Sequence, residues 1–272
     1  MGRIEEVLTR RAASNDGHRK ALVTYLCCGD PDEAESVELA VACAEEGADI
    51  LELGMPFSDP TADGPAIARA SQRALTGGGG LDATLRVARA VRARCNAPIV
   101  LFGYYNPLFV RGEERVVELA AAAGVDAFLV VDLPIDESTS LRTLAAARGL
   151  GVVPLVAPTS TPVRIAKITE LAARFPVPFV YYVSMMGVTG GAGVTGVLAD
   201  ASTQAARVRD VTGRPTVVGF GIDSGAAART AGAEADGVVV GSAIVRRIEE
   251  GTSPEARLAS VRAIVKELRS AT

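Results

Sequence analysis

The feature that most constrains the fold is a short pattern that occurs three times along the chain. In each copy an alanine-rich helical stretch meets a glycine, and a short apolar run follows within two to five residues; the copies are residues 44–53, 121–131 and 231–240. Glycine suits the position just past a helix end because it adopts the left-handed conformation without a side-chain clash. The pattern therefore predicts a chain of alternating helices and strands.

Eight apolar segments are predicted to be strands, at about residues 21–27, 49–53, 98–103, 126–131, 151–156, 178–183, 215–219 and 236–240. They are apolar almost throughout, which is typical of parallel strands buried on both faces. Helical segments follow them; Ser36 to Glu46 has an apolar stripe at Val37, Ala40, Val41 and Ala44. Ile4 to Ala13 predicts an extra helix before the first strand.

Eight strand–helix units predict the α/β class, as a (β/α)8 TIM barrel with an extra N-terminal helix. The 272 residues agree with the roughly 250 residues of one such barrel, and no linker interrupts them, so we expect one domain over residues 1–272. An open, doubly wound sheet is the alternative. The absence of a GxGxxG motif after the first strand disfavours it.

Composition excludes several classes of function. The net charge of −4 and the pI near 5.3 give no support for nucleic-acid binding. Residues 1–15 carry charges throughout and lack the apolar run of a signal peptide, and no apolar stretch is long enough for a membrane span. The cysteines form neither a CxxC pair nor a metal-ligand spacing, so we expect reduced thiols and a cytoplasmic protein; they are Cys27, Cys28, Cys43 and Cys95.

A carboxylate at the end of the second strand is the first candidate for chemistry. Active sites of such barrels lie where strands end and the following loops begin. Side chains alternate along a strand, so Glu52 points into the barrel mouth if Ile50 packs inward. Burial would raise the pKa of Glu52 and suit it to proton transfer near neutral pH. A structural carboxylate held by backbone amides is the alternative.

The segment that contains this carboxylate resembles a known family. Residues 51–65, with the sequence LELGMPFSDPTADGP, are similar to the signature of the tryptophan synthase alpha subunit family. The resemblance implies a lyase that cleaves indole-3-glycerol phosphate to indole and glyceraldehyde 3-phosphate without a cofactor in this chain. It also implies that Glu52 is the general acid/base and that Asp63 accepts a hydrogen bond from the indole nitrogen.

The positions of the lysines and of the histidine are consistent with acid/base chemistry by carboxyl groups. Lysines occur only at Lys20, Lys167 and Lys266, none of them at the predicted mouth, which argues against a lysine-dependent aldolase. The sole histidine, His18, precedes the first strand, so a histidine-rich metal site is excluded.

Glycines after the last two strands predict a phosphate site. In such barrels the loops after strands 7 and 8 bind phosphate through backbone amides and a helix N-terminus. Gly219-Phe220-Gly221-Ile222 and Gly241-Ser242 occupy these loops, although glycines there are often only turn residues. By resemblance, phosphate is held by Gly190, Gly221 and Ser242, with Gly241 beside them. Thr189, in the glycine-rich segment after the sixth strand, would bond to Asp63 and fix its carboxylate.

Four apolar or aromatic residues near strand ends match the positions at which the family surrounds indole; they are Tyr25, Phe102, Leu129 and Tyr181. Any of them could instead be an ordinary core residue. The resemblance further implies a pyridoxal-phosphate beta subunit as partner, in an α2β2 heterotetramer that receives indole for condensation with L-serine. The Pro56 to Pro60 loop would contact that partner through Asp59.

Two other functions remain open. The chain could be an interaction subunit that mainly activates a partner, but a pure activator would tolerate loss of Glu52 and Asp63. It could also be a different phosphate-binding barrel, such as a triose or sugar-phosphate isomerase. That class usually depends on a lysine or histidine at the mouth, and none is expected here.

Overall fold

The structure is a computed structural model that describes residues 2–13, 20–183, 193–219 and 221–272. Its parallel strands are β1 (Ala21–Cys27), β2 (Ile50–Gly54), β3 (Ile99–Gly103), β4 (Ala127–Val130), β5 (Gly151–Val152), β6 (Leu155–Val156), β7 (Val180–Val183), β8 (Thr216–Gly219) and β9 (Gly237–Val240).

The described helices follow and surround these strands. They are α1 (Arg3–Ala13), α2 (Glu33–Glu45), α3 (Pro65–Thr76), α4 (Leu81–Arg94), α5 (Tyr105–Arg111), α6 (Glu113–Ala122), α7 (Thr139–Ala147), α8 (Pro162–Arg174), α9 (Gly193–Thr212), α10 (Gly225–Gly232), α11 (Ser242–Glu250) and α12 (Pro254–Ala271), with a 3-10 helix at Ile135–Glu137. No helix in the described ranges is long and apolar enough to cross a membrane.

The sheet has no free edge because residues 151–156 pair on both sides. Their first half, β5, pairs with β4, and the Val153 N–H donates to the Phe128 carbonyl at 2.8 Å. Their second half, β6, pairs with β7, and the Tyr181 N–H donates to the Pro154 carbonyl at 3.0 Å. The strand order β5-β4-β3-β2-β1-β9-β8-β7-β6 thus begins and ends in one segment. The predicted (β/α)8 barrel is confirmed.

The prediction of one continuous strand over residues 151–156 needs a correction. Two short strands flank Val153 and Pro154. Proline has no N–H to donate to a neighbouring strand, so the regular ladder is interrupted there. Helix α2 also begins earlier than the predicted Ser36, because the Asp32 side chain caps it by accepting from the Glu35 N–H at 2.8 Å.

Alternate residues of each strand form two separate hydrophobic clusters, as the two-residue period of a strand requires. The inner cluster fills the barrel and includes Val23, Ile50, Val100, Ala127, Phe179, Val217 and Val239. The outer cluster lies between sheet and helices and includes Leu22, Leu51, Leu101, Phe128, Val180, Val218 and Val238. Helix α1, the predicted extra helix, belongs to the inner cluster through Ile4 and Leu8. It therefore covers one end of the barrel.

The three-fold sequence pattern ends each time in an aspartate that ties one strand to its neighbour. Asp49 accepts from the Leu22 N–H, Asp126 from the Ile99 N–H and Asp236 from the Thr216 N–H, at 2.8–2.9 Å. Each aspartate also pairs with an arginine of a surrounding helix, respectively Arg269, Arg92 and Arg209. These contacts lie at the N-terminal ends of the strands, where barrel residues serve stability.

We predict that Asp126→Ala lowers the free energy of unfolding by about 2–4 kcal/mol, because it leaves the Ile99 N–H without its acceptor and removes the carboxylate that pairs with Arg92. Asp82→Ala is the matched control, since Asp82 forms an exposed pair with Arg111 and such pairs contribute about 0–1 kcal/mol. Urea unfolding of both variants measures the difference. Equal losses of unfolding free energy in the two variants would show that the Asp126 contacts stabilise the fold no more than an exposed ion pair does.

Candidate active site

Glu52 lies inside the barrel, on β2, between Tyr25 of β1 and Val100 of β3. Ile50 belongs to the inner cluster, so Glu52, two residues further on, faces the same interior. The side chain is 1% exposed, and its Oε1 atom has no hydrogen-bond partner within the described parts of the chain. Backbone amides therefore do not hold this oxygen, as the structural alternative would require.

The environment of Glu52 favours the protonated form. Burial in the barrel raises the pKa of Glu52 to about 8, and the nearby negative charge of Asp63 contributes to the increase. A carboxyl group with such a pKa exchanges its proton near neutral pH. Glu52 can consequently act both as a proton donor and as a proton acceptor.

Asp63 is presented by a loop that the neighbouring strand end supports. Within the loop the Asp63 N–H donates to the Pro60 carbonyl at 3.1 Å. The Ala62 N–H donates to the Tyr104 hydroxyl at 2.9 Å, and the Tyr104 ring stacks on Phe57 with 4.9 Å between centroids. Tyr104 thus holds the loop at two points, Phe57 and Ala62.

Tyr104 was not among the site residues predicted from the sequence. Its position directly after the predicted strand 98–103, at the mouth, was the available signal.

Burial raises the pKa of Asp63 to about 6, and a hydrogen bond with Tyr104 opposes the increase. Asp63 is therefore mostly ionised at neutral pH while Glu52 is mostly protonated, and two neighbouring carboxyl groups can hold different charges.

The four predicted wall residues all lie on the inner face of the barrel. Tyr25 meets Phe102 edge to face, with 5.2 Å between ring centroids, and Phe102 is paired in register with Leu129. Burial raises the pKa of Tyr25 and of Tyr181, and the charges of Glu52 and Asp63 contribute in both cases. The two tyrosines therefore surround the same space as the two carboxyl groups.

Two glycines make room for the tyrosine rings. A Cβ atom at Gly54 would lie 2.3 Å from the Tyr25 hydroxyl, and one at Gly219 would lie 2.0 Å from the Tyr181 hydroxyl. Such distances are far below a van der Waals contact, so a side chain at either position would displace the ring. The shape of the mouth is set in part by the residues that lack side chains.

The predicted phosphate loops follow β8 and β9. Gly221 has a φ of +76°, a conformation that favours glycine. Gly241 is the N-cap of α11, and the first hydrogen bond of the helix runs from the Val245 N–H to the Gly241 carbonyl at 3.0 Å. The N–H groups of the first turn, from Ser242 onward, are unpaired within the described residues and suit an anion. Thr189 and Gly190 lie outside the described residues.

The lysines lie away from the carboxyl groups. The Lys20 N–H bonds to Thr272 at the start of β1, Lys167 pairs with Asp136, and Lys266 belongs to α12. All four cysteines are free thiols. Within the described ranges no group of three histidine, cysteine, aspartate or glutamate side chains could hold a metal ion. Proton transfer by carboxyl groups is the chemistry that this set of residues supports.

The closed barrel and the polar groups at its mouth define an enzyme of the (β/α)8 class. The family model described as "Tryptophan synthase alpha chain" matches residues 12–272. The chain belongs to this family, as the sequence resemblance predicted. The family's alpha subunits are lyases that cleave indole-3-glycerol phosphate.

Relatives and solved structures agree over most of the chain. The tryptophan synthase alpha chain of Geobacter sulfurreducens is 50% identical over 87% of this chain and 88% of that protein. The alpha chain of Desulfatibacillum aliphaticivorans is 45% identical over 94% of each. The crystal structure of tryptophan synthase subunit alpha from Legionella pneumophila matches with a TM-score of 0.87 at 33% identity, covering 100% of this chain and 98% of that one.

We predict that the free energy of unfolding of Glu52→Gln rises relative to that of the wild type as the pH increases. The folded-state pKa of about 8 lies above the ordinary glutamate pKa of 4.5, so between these values the native state holds a proton that the unfolded state lacks. The contribution of Glu52 to stability is thus complete below pH 4.5 and is lost as the pH rises through 8. Glutamine does not titrate, so the advantage of the variant should grow by up to about 1.4 kcal/mol per pH unit in this window.

Chemical unfolding of both proteins at several pH values measures this difference. Glu38→Gln is the control, since Glu38 is exposed and pairs with Arg94 at the surface. Stability curves for Glu52→Gln and the wild type that run parallel between pH 5 and 8 would contradict the raised pKa.

Proposed function

We propose that this chain cleaves indole-3-glycerol phosphate to indole and D-glyceraldehyde 3-phosphate, with Glu52 as the general acid/base. The observation that carries the proposal is the carboxyl group of Glu52, 1% exposed, with an oxygen that lacks a partner among the described residues and a pKa of about 8. An orphaned polar atom inside a barrel is unfavourable unless substrate completes its hydrogen bonds.

Cleavage requires two proton transfers that one carboxyl group can perform. A proton is delivered to the indole ring carbon that carries the glycerol phosphate side chain, and another is removed from a hydroxyl group of that side chain. The bond between ring and side chain then breaks, and the hydroxyl carbon becomes an aldehyde. Glu52, protonated at first, gives the first proton and takes the second, so it returns to its initial state.

Asp63 stabilises the charge that this sequence creates. Protonation of the ring carbon places positive charge on the indole nitrogen, and a fixed carboxylate that accepts its N–H favours that state. Asp63, with a pKa of about 6, is ionised when Glu52 is protonated. Tyr104 positions the loop through its bond to Ala62, and Thr189 would orient the carboxylate from the segment after β7.

The remaining groups bind the two ends of the substrate. Tyr25, Phe102, Leu129 and Tyr181 enclose the indole ring, since they share the barrel interior with Glu52. The phosphate lies at the N-terminus of α11, against Gly241 and Ser242, with Gly221 and Gly190 contributing amides from the neighbouring loops. Because the indole ring and the phosphate are held at different points of the mouth, the side chain that joins them lies next to Glu52.

The partner in this proposal is a pyridoxal-phosphate beta subunit, in a cytoplasmic α2β2 heterotetramer that condenses indole with L-serine. Structures of tryptophan synthase from Mycobacterium tuberculosis match this chain with TM-scores of 0.85–0.87. The loop that carries Asp63 also carries Asp59, which is exposed and available to a partner. This chain itself needs no cofactor for the two proton transfers.

A pure interaction subunit is the second candidate. The buried Glu52 and the anchored Asp63 favour a catalytic subunit over it, because a subunit without catalysis gains nothing from an unfavourable buried carboxyl group. An isomerase that depends on lysine is disfavoured by the positions of Lys20, Lys167 and Lys266.

We predict that Glu52→Gln lowers the turnover of indole-3-glycerol phosphate by at least about 10²- to 10⁴-fold, because it removes both proton transfers. Indole release by the purified protein measures the effect. Glu38→Gln should retain wild-type turnover, since Glu38 is at the surface of α2. If Glu52→Gln keeps more than half of wild-type turnover, Glu52 is not the acid/base.

We predict that added beta subunit raises the rate of indole release, and that Asp59→Asn weakens this increase more than the basal rate. Asp59 is exposed on the loop that presents Asp63, so a contact there can act on the site. Asp82→Asn, at a different exposed aspartate, is the control. The absence of binding to any cognate beta subunit would indicate a lyase that acts alone.

A further inference from the structure

A second cavity, of about 220 Å³, lies beside the end of β4 and the break between β5 and β6. Its wall includes Val130, Asp132, Pro134, Ser138, Arg142 and Leu155. None of the residues proposed above to bind indole-3-glycerol phosphate lines it. It lies at the same end of the barrel as the mouth but shares no residue with the proposed substrate site, and its Leu155 also packs against the inner cluster.

The buried charged group of this cavity is the guanidinium of Arg142, on α7, which is 2% exposed. Its Nε donates to the Ser138 hydroxyl and its Nη1 to the Val152 carbonyl, both at 2.8 Å. An arginine has five N–H donors in a planar fork. The other three have no acceptor in the described part of the chain, so hydrogen-bonding capacity remains at the cavity.

Arg142 has no carboxylate partner among the described residues. Burial lowers its pKa to about 10, with no opposing effect from a nearby acid, so the group remains cationic at neutral pH. Asp132 lines the same cavity, but its Oδ1 accepts from the Tyr105 N–H at 2.7 Å. A buried cation without a counter-ion is unfavourable, and a bound anion removes that cost.

The rest of the wall restricts the kind of anion. Nine of its thirteen lining residues are apolar, among them Val130, Leu133, Pro134, Val153 and Leu155. The carboxylate of Asp132 disfavours a doubly charged anion such as phosphate beside the single buried cation. A planar carboxylate matches the fork of a guanidinium, and an apolar body matches the wall.

We infer that this cavity binds a small organic monocarboxylate, which accepts hydrogen bonds from Arg142 and packs its apolar part against Leu133 and Leu155. Arg164, exposed at the wall, adds positive charge that favours entry of the anion but is not buried with it. The inference does not depend on the reaction at the barrel mouth.

Nuclear magnetic resonance titration of the full-length wild-type protein tests the inference. The probe is sodium isobutyrate; isobutyramide has the same shape without the charge, and sodium chloride matches the ionic strength. Isobutyrate should produce a saturable shift of the Arg142 side-chain Nε–H signal and of the Ile135 and Leu155 amide signals. The two controls should not produce it.

Two variants locate the binding. Arg142→Gln should weaken isobutyrate binding by about tenfold or more, the effect of losing a charged hydrogen-bond donor, while Arg164→Gln should change it by less. Because Arg142 also ties α7 to β5, the wild-type titration decides if the first variant does not fold. The inference is overturned if isobutyrate acts no differently from isobutyramide, or if its shifts centre on Ser242 instead of Arg142.

Discussion

The structure depends on the closure of a parallel sheet through the segment 151–156. A parallel sheet with an open edge would leave backbone N–H and carbonyl groups unpaired. Here the first half of the segment pairs with β4 and the second half with β7, so the barrel interior becomes an enclosed space. In this enclosed space Glu52 is 1% exposed, and a substrate can reach it from the open end of the barrel.

The pairing register of the strands determines where the site residues lie inside the closed barrel. Tyr25, Glu52, Val100 and Ala127 are aligned across four neighbouring strands, and Gly54, Phe102 and Leu129 form the next inward level. A shift of one residue in any of these strands would turn its inner side chains outward. The geometry of the carboxyl groups is thus a property of the whole sheet, and the loops only complete it.

Local signals in the sequence were sufficient for the strands and for the direction of Glu52, because both follow from the apolar period and from the alternation of side chains. Contacts between distant residues were not predictable in this way. Asp49 pairs with Arg269 across 220 residues, and Ala62 donates to Tyr104, so each pairing exists only after the barrel has closed. The same holds for the division of the fifth predicted strand at Pro154 and for the enclosure of Arg142.

The three aspartates that tie strands together lie at the opposite end of the barrel from Glu52 and Asp63. Contacts that hold the sheet and groups proposed for chemistry are therefore carried by different residues, separated by the length of a strand. An evolving lineage can exchange the mouth residues for others without first losing its fold, so new substrate ranges are accessible by few substitutions. Such a barrel is a suitable starting point for directed evolution toward other carbon–carbon bond cleavages.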